Sequence, residues 1–216
     1  MSKVGVFHRL SPPHAGELIY LERFLSGRQN DDLVSFLDQV PRNAAETNSY
    51  TEFSFIRPVY DGSPIDSREE ACAGSPVADA EGRPAFGAQL PGPLLELSRK
   101  VTTTLFEAGL DPTVGADELT FTSVYADRYP PGGFFVPHTD RQWYGPLVAG
   151  VSAGGGSCSL TFSSGDGGES FTVRLAPGSM YAFYGAVRRP PWVHAIHEVT
   201  GVRYGVTFRT AASTEP

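Results

Sequence analysis

Cysteine and long apolar segments are both scarce in this chain. Its 216 residues include two cysteines, Cys72 and Cys158, and no Cys-x-x-Cys pair, so we expect two reduced thiols rather than a disulfide framework. No window approaches the roughly 18 continuous apolar residues of a membrane-spanning helix, and residues 1–10 lack the apolar region of a signal peptide. These absences predict a cytoplasmic protein that does not associate with membranes.

Basic segments are absent as well. The net charge is -7 at pH 7, and no run of four lysines or arginines occurs. The chain as a whole therefore does not offer the electrostatic attraction that dominates nucleic-acid affinity, although one local basic groove would suffice. Nucleic acid is accordingly a disfavoured partner that is not excluded.

Turn-forming and aromatic residues, by contrast, are plentiful. The chain has 24 Gly, 18 Pro and 12% aromatic residues, which is typical of many short strands joined by turns and not of disorder. The length suits one domain with a sizeable core. We predict a loose N-terminal arm over residues 1–16 and a single domain over residues 17–216, and the sequence does not indicate an oligomeric state.

The first half of the domain contains two segments with helical periodicity. Apolar residues recur at helical spacing over Asn30–Val40, where Asn30 or Asp31 would cap the helix, and over Pro93–Ala108. Between them, residues 51–60 have an extended, aromatic pattern, and residues 61–87 are rich in Gly, Ala, Pro, Ser and acidic residues. Long loops inside compact domains are usually functional or disordered, so we predict a substrate lid over about residues 50–90.

The second half has the pattern of an all-β structure. After Asp117, short runs of β-branched and aromatic residues alternate with turns, and the candidate strands are Leu119–Tyr125, Leu147–Ser152, Ser157–Phe162, Ser170–Leu175, Ser179–Tyr184 and Arg203–Thr210. Many short strands at regular spacing predict a sandwich or barrel over residues 117–211. The fold class is therefore mainly β with flanking helices.

Histidines of the β-rich half suggest a metal site. On a strand, His138 and Asp140 would point to the same face, and His194 follows later in the chain. Two histidines and one carboxylate form the facial triad that binds Fe(II) in non-haem oxygenases and leaves positions open for a co-substrate and O2. A surface histidine beside an aspartate is the alternative. His197 is the rival to His194 as second ligand, but it cannot share the strand face of His194, and we expect it in a loop.

The last candidate strand contains two arginines. Arg203 and Arg209 would project to the same face of the strand as Gly205 and Thr207. Two arginines inside a barrel would be costly unless they bound anions, and a dicarboxylate such as 2-oxoglutarate would supply them. The alternative is an edge strand whose arginines are solvated.

The order of four motifs is specific: Tyr129-Pro-Pro-Gly, His138-x-Asp140, Trp192-x-His194 and Arg203-x5-Arg209. This order resembles the AlkB-like family of Fe(II)/2-oxoglutarate-dependent dioxygenases. The resemblance implies a double-stranded β-helix, or jelly roll, as the core of the domain, and Fe(II), 2-oxoglutarate and O2 as cofactor and co-substrates.

The resemblance also implies residue roles. His138, Asp140 and His194 would ligate the iron. Tyr129 and Arg203 would hold the distal carboxylate of 2-oxoglutarate, and Arg209 would lie near its keto-acid end and near Asp140.

Three positions depart from the family pattern. Asp127 and Gly205 stand where some members have Asn, and Gln142 stands where repair members have an acid that contacts the damaged base. An acid at position 127 would face an anionic co-substrate, so we expect Asp127 to turn away or to pair with Arg128. These departures weaken any transfer of the repair substrate to this chain.

Two substrate classes follow. We favour oxidation of a C–H bond in a small molecule or peptide, because the chain is acidic and Gln142 replaces the base-contacting acid. The alternative is oxidative demethylation of an alkylated nucleobase in DNA or RNA, with Arg141, Arg188 and Arg189 as the candidate phosphate contacts. The candidate substrate residues are Tyr60, Arg141, Gln142 and Trp143. A metal-binding jelly roll without turnover would not need the arginine pair.

Overall fold

A computed structural model of the chain describes residues 18–39, 43–44, 52–56, 92–109, 121–140, 144–165 and 168–211. The predicted N-terminal arm, most of the predicted lid, and Cys72 lie outside the described residues. Cys158 is a free and buried thiol, as expected. Neither described helix has the length and apolar character needed to cross a membrane.

The described residues form eleven strands and two α-helices. The helices are α1 (Gly27–Leu37) and α2 (Gly92–Glu107). The strands are β1 (Leu18–Leu21), β2 (Asn43–Ala44), β3 (Glu52–Ile56), β4 (Phe121–Tyr129), β5 (Phe135–His138), β6 (Tyr144–Gly154), β7 (Cys158–Ser164), β8 (Ser170–Leu175), β9 (Ser179–Phe183), β10 (Trp192–His197) and β11 (Arg203–Ala211).

These strands build two antiparallel sheets. One has seven strands in the order β1-β9-β6-β11-β4-β3-β2, and the other has four in the order β5-β10-β7-β8. A single cluster of buried side chains joins them, with Phe183 and Tyr181 from the larger sheet against Phe162 and Ile196 from the smaller. We call the faces that meet in this cluster the inner faces. Two facing antiparallel sheets with flanking helices confirm the predicted jelly-roll fold class.

The outer face of the larger sheet packs against both helices. Leu37 of α1 and Leu94, Val101 and Leu105 of α2 share one buried cluster with outward residues of β6, β9 and β11 such as Val206. Burial of such side chains is the main source of folding free energy. The helices therefore stabilise the sheet from the side that faces away from the smaller sheet.

The start of α1 differs from the sequence prediction. Ser26 is the N-cap: its hydroxyl accepts from the Gln29 backbone at 3.2 Å, and the Gln29 side chain accepts from the Ser26 backbone at 3.1 Å. This reciprocal pair is a capping box. Asn30 lies inside the helix and instead accepts from the Gly154 backbone N–H at 3.0 Å. The predicted cap at Asn30 or Asp31 was therefore wrong, because a capping box begins the helix earlier.

The position of β11 decides between the two interpretations of its arginines. β11 lies between β4 and β6 in the middle of the larger sheet, so it is not an edge strand. Arg203 and Arg209 are both buried on its inner face. Between them, Tyr204, Val206 and Phe208 enter the outer cluster. The solvated-arginine alternative is thereby excluded.

Part of the predicted lid is a strand. Residues 52–56 form β3, which pairs with β4 in antiparallel register from Glu52 opposite Arg128 to Ile56 opposite Val124. This segment thus extends the larger sheet.

Candidate metal centre

The smaller sheet brings three metal-ligating side chains together. His138 ends β5, His194 lies opposite it on β10, and Asp140 follows two residues after His138. One ligand atom of each lies within 4.8 Å of the others, close enough to share an ion. His194 Nε2 lies 3.8 Å from Asp140 Oδ2. The group is a carboxylate and two imidazoles, the set that suits non-haem Fe(II).

The reason for this proximity differs from the one predicted. Asp140 lies beyond the end of β5, so His138 and Asp140 do not occupy alternate positions of one strand. The hydroxyl of Thr139 donates to the backbone carbonyl of Trp192 at 2.7 Å and ties the segment between them to β10. A turn anchored on the neighbouring strand therefore directs Asp140 toward His194.

Both imidazoles can offer a nitrogen to a metal. His138 Nδ1 lies 3.0 Å from the carbonyl oxygen of Val136 and must donate to it, which leaves Nε2 as the lone-pair nitrogen. Aromatic rings surround His194, with the Phe183 centroid at 5.0 Å and the Phe162 centroid at 5.9 Å. Burial lowers the pKa of His194 to about 3, so its imidazole is neutral near pH 7 and can act as a ligand.

Two arginines brace the carboxylate of Asp140. Arg209 donates to Oδ1 from Nη2 at 3.0 Å and from Nε at 3.2 Å. Burial would raise the pKa of Asp140, but Arg209, His194 and Arg188 together hold it well below its usual range. The second oxygen, Oδ2, is buried and receives no hydrogen bond from the described residues. The carboxyl group of Asp140 is therefore ionised, and its Oδ2 faces His194 in a position to bind a metal.

Arg188 does not have the role that the sequence suggested for it. Its side chain is buried, and Nη1 donates to the backbone carbonyl of Asp140 at 3.2 Å, while Nε lies 3.9 Å from Asp140 Oδ2. It ends a 3-10 turn over Gly185–Arg188 that directs it inward. A phosphate contact by Arg188 is therefore ruled out, and Arg189 remains as the exposed member of the pair.

A second polar pocket surrounds Arg203 on the inner face of the larger sheet. Arg203 is 1% exposed, and its Nε donates to the Ser152 hydroxyl at 2.9 Å. Neither terminal nitrogen meets an oxygen acceptor among the described residues. Burying a guanidinium in this state is costly unless an anion joins it, and the two terminal nitrogens match a carboxylate. The residues present therefore fit a bound carboxylate.

Gly205 makes room for this guanidinium. A Cβ at Gly205 would lie 3.0 Å from Arg203 Nη1 and 3.4 Å from Nη2, so the guanidinium lies directly over the glycine. Arg209 folds in the opposite direction along β11, because its Nη1 donates to the Thr207 hydroxyl at 3.0 Å. The two guanidinium groups thus lie over positions two residues apart on one strand, about 7 Å. A five-carbon dicarboxylate has about this length.

Asp127 does not turn away from the pocket. It is buried and lies opposite Gly205, on the inner face with Tyr129. Burial lowers the pKa of Arg203, but Cys158, Tyr129, Tyr181 and Asp127 more than offset this, so the pKa is raised above its ordinary value. Of the two expectations for Asp127, turning away was wrong, because the regular alternation of residues 124–129 in β4 fixes the side on which this side chain lies. Pairing with Arg128 stays a prediction.

Of the remaining predicted residues, the structure describes His197 and does not describe the four candidate substrate residues. His197 belongs to β10 rather than to a loop, and its Nε2 lies 2.6 Å from the Thr161 hydroxyl, outside the metal group. The candidate substrate residues Tyr60, Arg141, Gln142 and Trp143 lie outside the described residues and stay predictions.

Comparisons with known proteins bear on the fold. No protein-family model and no curated protein sequence matches the chain. The structure of OsALKBH1 is similar, with a TM-score of 0.64 and 14% identity, over 94% of this chain and 100% of that one. A prolyl-4-hydroxylase from Pseudomonas putida matches with a TM-score of 0.57 and 14% identity, over 93% of this chain and 94% of that one.

A third similar structure is a prolyl hydroxylase from Trichoplax adhaerens in complex with a peptide fragment of the hypoxia inducible factor oxygen degradation domain. Its TM-score is 0.52 and its identity 12%, over 92% of this chain and 84% of that one. These likenesses place the chain among double-stranded β-helix proteins and agree with its AlkB-like motifs at the level of the fold.

Proposed function

We propose that this protein is an Fe(II)- and 2-oxoglutarate-dependent dioxygenase that oxidises a C–H bond of a small molecule or peptide. The observation that carries the proposal is the pairing of two sites inside one fold. His138, Asp140 and His194 each bring one ligand atom within 4.8 Å of the others, close enough to hold one ion. Arg203 lies buried, and its terminal nitrogens donate to no oxygen of the described residues. A metal-binding protein without turnover would not need the second site.

The metal ligands are His138 Nε2, His194 and Asp140 Oδ2. Arg209 and Arg188 keep the aspartate ionised and oriented, a role that outer residues commonly play at metal sites. The rings of Phe162 and Phe183 pack against the buried imidazole of His194, and the ring of Phe135 packs against the half-buried imidazole of His138. These residues hold the ion in place and leave its remaining positions for other ligands.

Arg203 binds the distal carboxylate of 2-oxoglutarate, with Tyr129 beside it, and Arg209 lies near the keto-acid end. The bound metal and co-substrate supply the oxidising power: 2-oxoglutarate, O2 and a C–H bond yield succinate, CO2 and an alcohol, with one oxygen atom in each organic product. The protein contributes position and exclusion of water.

Three observations support a small molecule or a peptide as substrate. Near the metal group the described surface of β5 is apolar, since Val136 is 47% exposed and the preceding Phe134 is 41% exposed. Arg188, which could have contacted phosphate, is engaged with Asp140. Two similar folds are prolyl hydroxylases, one of them with a bound peptide fragment.

Nucleobase demethylation is the second candidate. It is favoured by the order of the AlkB-like motifs and by the similarity to OsALKBH1. Hydroxylation of an N-methyl group would release formaldehyde, so the two candidates differ in a measurable product.

The test is release of succinate and formaldehyde by the purified protein with Fe(II), ascorbate and 2-oxoglutarate. Three reactions are compared: no addition, single-stranded DNA with N-methylated adenine or cytosine, and a panel of proline-containing peptides. We expect succinate in all three, no stimulation by DNA, and stimulation by a peptide or by a small molecule found in a later screen.

Formaldehyde in proportion to succinate with DNA alone would establish the demethylase instead. Absence of succinate in every reaction, together with absence of 2-oxoglutarate binding, would contradict the oxygenase proposal itself. His197→Ala provides a matched control for loss of a histidine on β10, because His197 lies outside the metal group.

A further inference from the structure

One row of side chains crosses the inner face of the larger sheet beneath Arg203. Ser179 on β9 lies opposite Ser152 on β6, Ser152 lies opposite Gly205 on β11, and Gly205 lies opposite Asp127 on β4. Because the guanidinium of Arg203 lies over Gly205, it stands near the middle of this row.

Ser179 is the member of the row with an unexplained hydroxyl. The residue is 0% exposed, and its Oγ has no hydrogen-bond partner among the described residues. Burying a hydroxyl in this state costs about 1–3 kcal/mol. Opposite residues of antiparallel strands have Cβ atoms about 5 Å apart, so this hydroxyl lies beside Ser152, which accepts from Arg203. It is therefore placed to contact whatever Arg203 binds.

The two ends of the row differ in chemistry. The hydroxyl groups of Ser179 and Ser152 lie at the β9 and β6 end, and the carboxylate of Asp127 lies at the β4 end. A carboxylate bound to Arg203 would be repelled by Asp127 and attracted to hydroxyl donors. Gly205 has no side chain to donate. The anion is thus expected to lie toward Ser179.

Bulk water does not reach this side of the pocket. Tyr181, the next inward residue of β9, lies with its ring in the space that a side chain at Gly150 would occupy. Cys158 of the smaller sheet is fully buried nearby and interacts with Arg203. The Ser179 hydroxyl therefore needs a bound ligand, or an enclosed water in its place, as its partner.

We propose that Ser179 is a co-substrate-binding residue whose hydroxyl donates a hydrogen bond to the distal carboxylate held by Arg203. The inference rests on the proposed function, since it concerns the same 2-oxoglutarate site. It assigns to β9 a donor that β11 lacks at Gly205.

The test is calorimetric titration of the Mn(II)-loaded protein with 2-oxoglutarate and, separately, with oxalate, which chelates a metal but has no distal carboxylate. Ser179→Ala is compared with the wild type and with Ser98→Ala. Ser98 is a matched control because it is a buried serine of α2 that bonds to the Leu95 carbonyl, away from the inner face.

We expect Ser179→Ala to weaken 2-oxoglutarate binding about tenfold, the usual effect of losing a hydrogen bond to a charged group. Oxalate affinity should not change, and Ser98→Ala should match the wild type for both ligands. The melting temperature of metal-free Ser179→Ala should equal or exceed that of the wild type, because the variant loses a hydroxyl without a protein partner.

Unchanged 2-oxoglutarate affinity in Ser179→Ala would overturn the inference. So would an equal loss of 2-oxoglutarate and oxalate affinity, which would indicate a general distortion of the site. Failure of the proposed function looks different, because the wild type itself would then bind no 2-oxoglutarate in the presence of metal.

Discussion

The two faces of the seven-stranded sheet have opposite chemistry, and β11 contributes to both. On its outer side, Tyr204, Val206 and Phe208 join an apolar cluster with the helices. On its inner side, Arg203 and Arg209 are buried and directed toward each other. One strand thus serves packing and ligand binding in alternate residues, as the twofold period of a strand allows.

The outer face contributes mainly to folding stability, and the inner face mainly to ligand binding. The outer cluster gains free energy from burial of apolar area. The inner face instead carries features that cost stability in the absence of ligand: the terminal nitrogens of Arg203, the hydroxyl of Ser179, and Gly205 where a side chain could have packed. Sites that break local rules in this way are expected where a protein binds or reacts.

Removing a metal ligand should have the largest effect on the inner face, because both activity and metal binding depend on it. We expect His138→Ala to reduce Fe(II)-dependent succinate formation to background and to weaken Mn(II) binding by more than about 100-fold, since loss even of an outer residue at a metal site costs 10- to 100-fold. Succinate assay and calorimetry measure the two effects. His197→Ala should retain both properties, and full activity of His138→Ala would refute its role as a ligand.

Removing the buried guanidinium should separate binding from stability most clearly. We expect Arg203→Met to weaken 2-oxoglutarate binding about 100-fold, because two charge-assisted hydrogen bonds are lost. The metal-free variant should lose little or no stability, because the two terminal nitrogens of Arg203 have no hydrogen-bond acceptor among the described residues and an apolar chain removes the cost of burying them. Calorimetry and thermal unfolding test this. Strong destabilisation with unaltered binding would reverse the assignment.

Replacing the adjacent arginines Arg188 and Arg189 one at a time should have a smaller effect, and it compares a buried arginine with an exposed one. Arg188→Met should weaken Mn(II) binding about tenfold, because Arg188 holds the backbone and carboxylate of Asp140. Arg189→Met should have no effect on metal affinity, because Arg189 is exposed. Equal metal affinities in the two variants would show that Arg188 does not position Asp140.

A change on the outer face should have the smallest effect on the site. Val206 is fully buried in the cluster under the helices. We expect Val206→Ala to lower the free energy of unfolding by about 2 kcal/mol through the loss of buried methyl groups. Denaturant unfolding measures this, while titration of the folded variant should give the wild-type affinity for 2-oxoglutarate. A large loss of affinity would mean that the two faces are coupled.

Much of this fold was predictable from local patterns, and the exceptions have physical causes. Apolar periodicity located α2 within a few residues, and the pattern of β-branched and aromatic runs located β4, β6, β7, β8, β9 and β11 within about four residues. It missed β5 and β10, the strands of His138 and His194. Pro137 interrupts the pattern of β5, and β10 follows a proline pair and carries polar ligands at positions where apolar residues would have indicated a strand.

The site was predictable in its residue types and not in its registers. Histidine, aspartate and arginine in a familiar order were sufficient to indicate His138, Asp140, His194 and Arg203 as candidate binding residues. The contribution of Ser179 was not visible in the sequence, because Ser179 and Gly205 meet only through the pairing of strands distant in sequence. No local pattern specifies such a row.

The most direct test is titration of 2-oxoglutarate into the wild-type protein with and without Mn(II), followed by the same titration of Arg203→Met. The proposed function predicts saturable binding at one site per chain that requires the metal and is lost in the variant. Binding that is independent of both the metal and Arg203, or no binding under any condition, would contradict it.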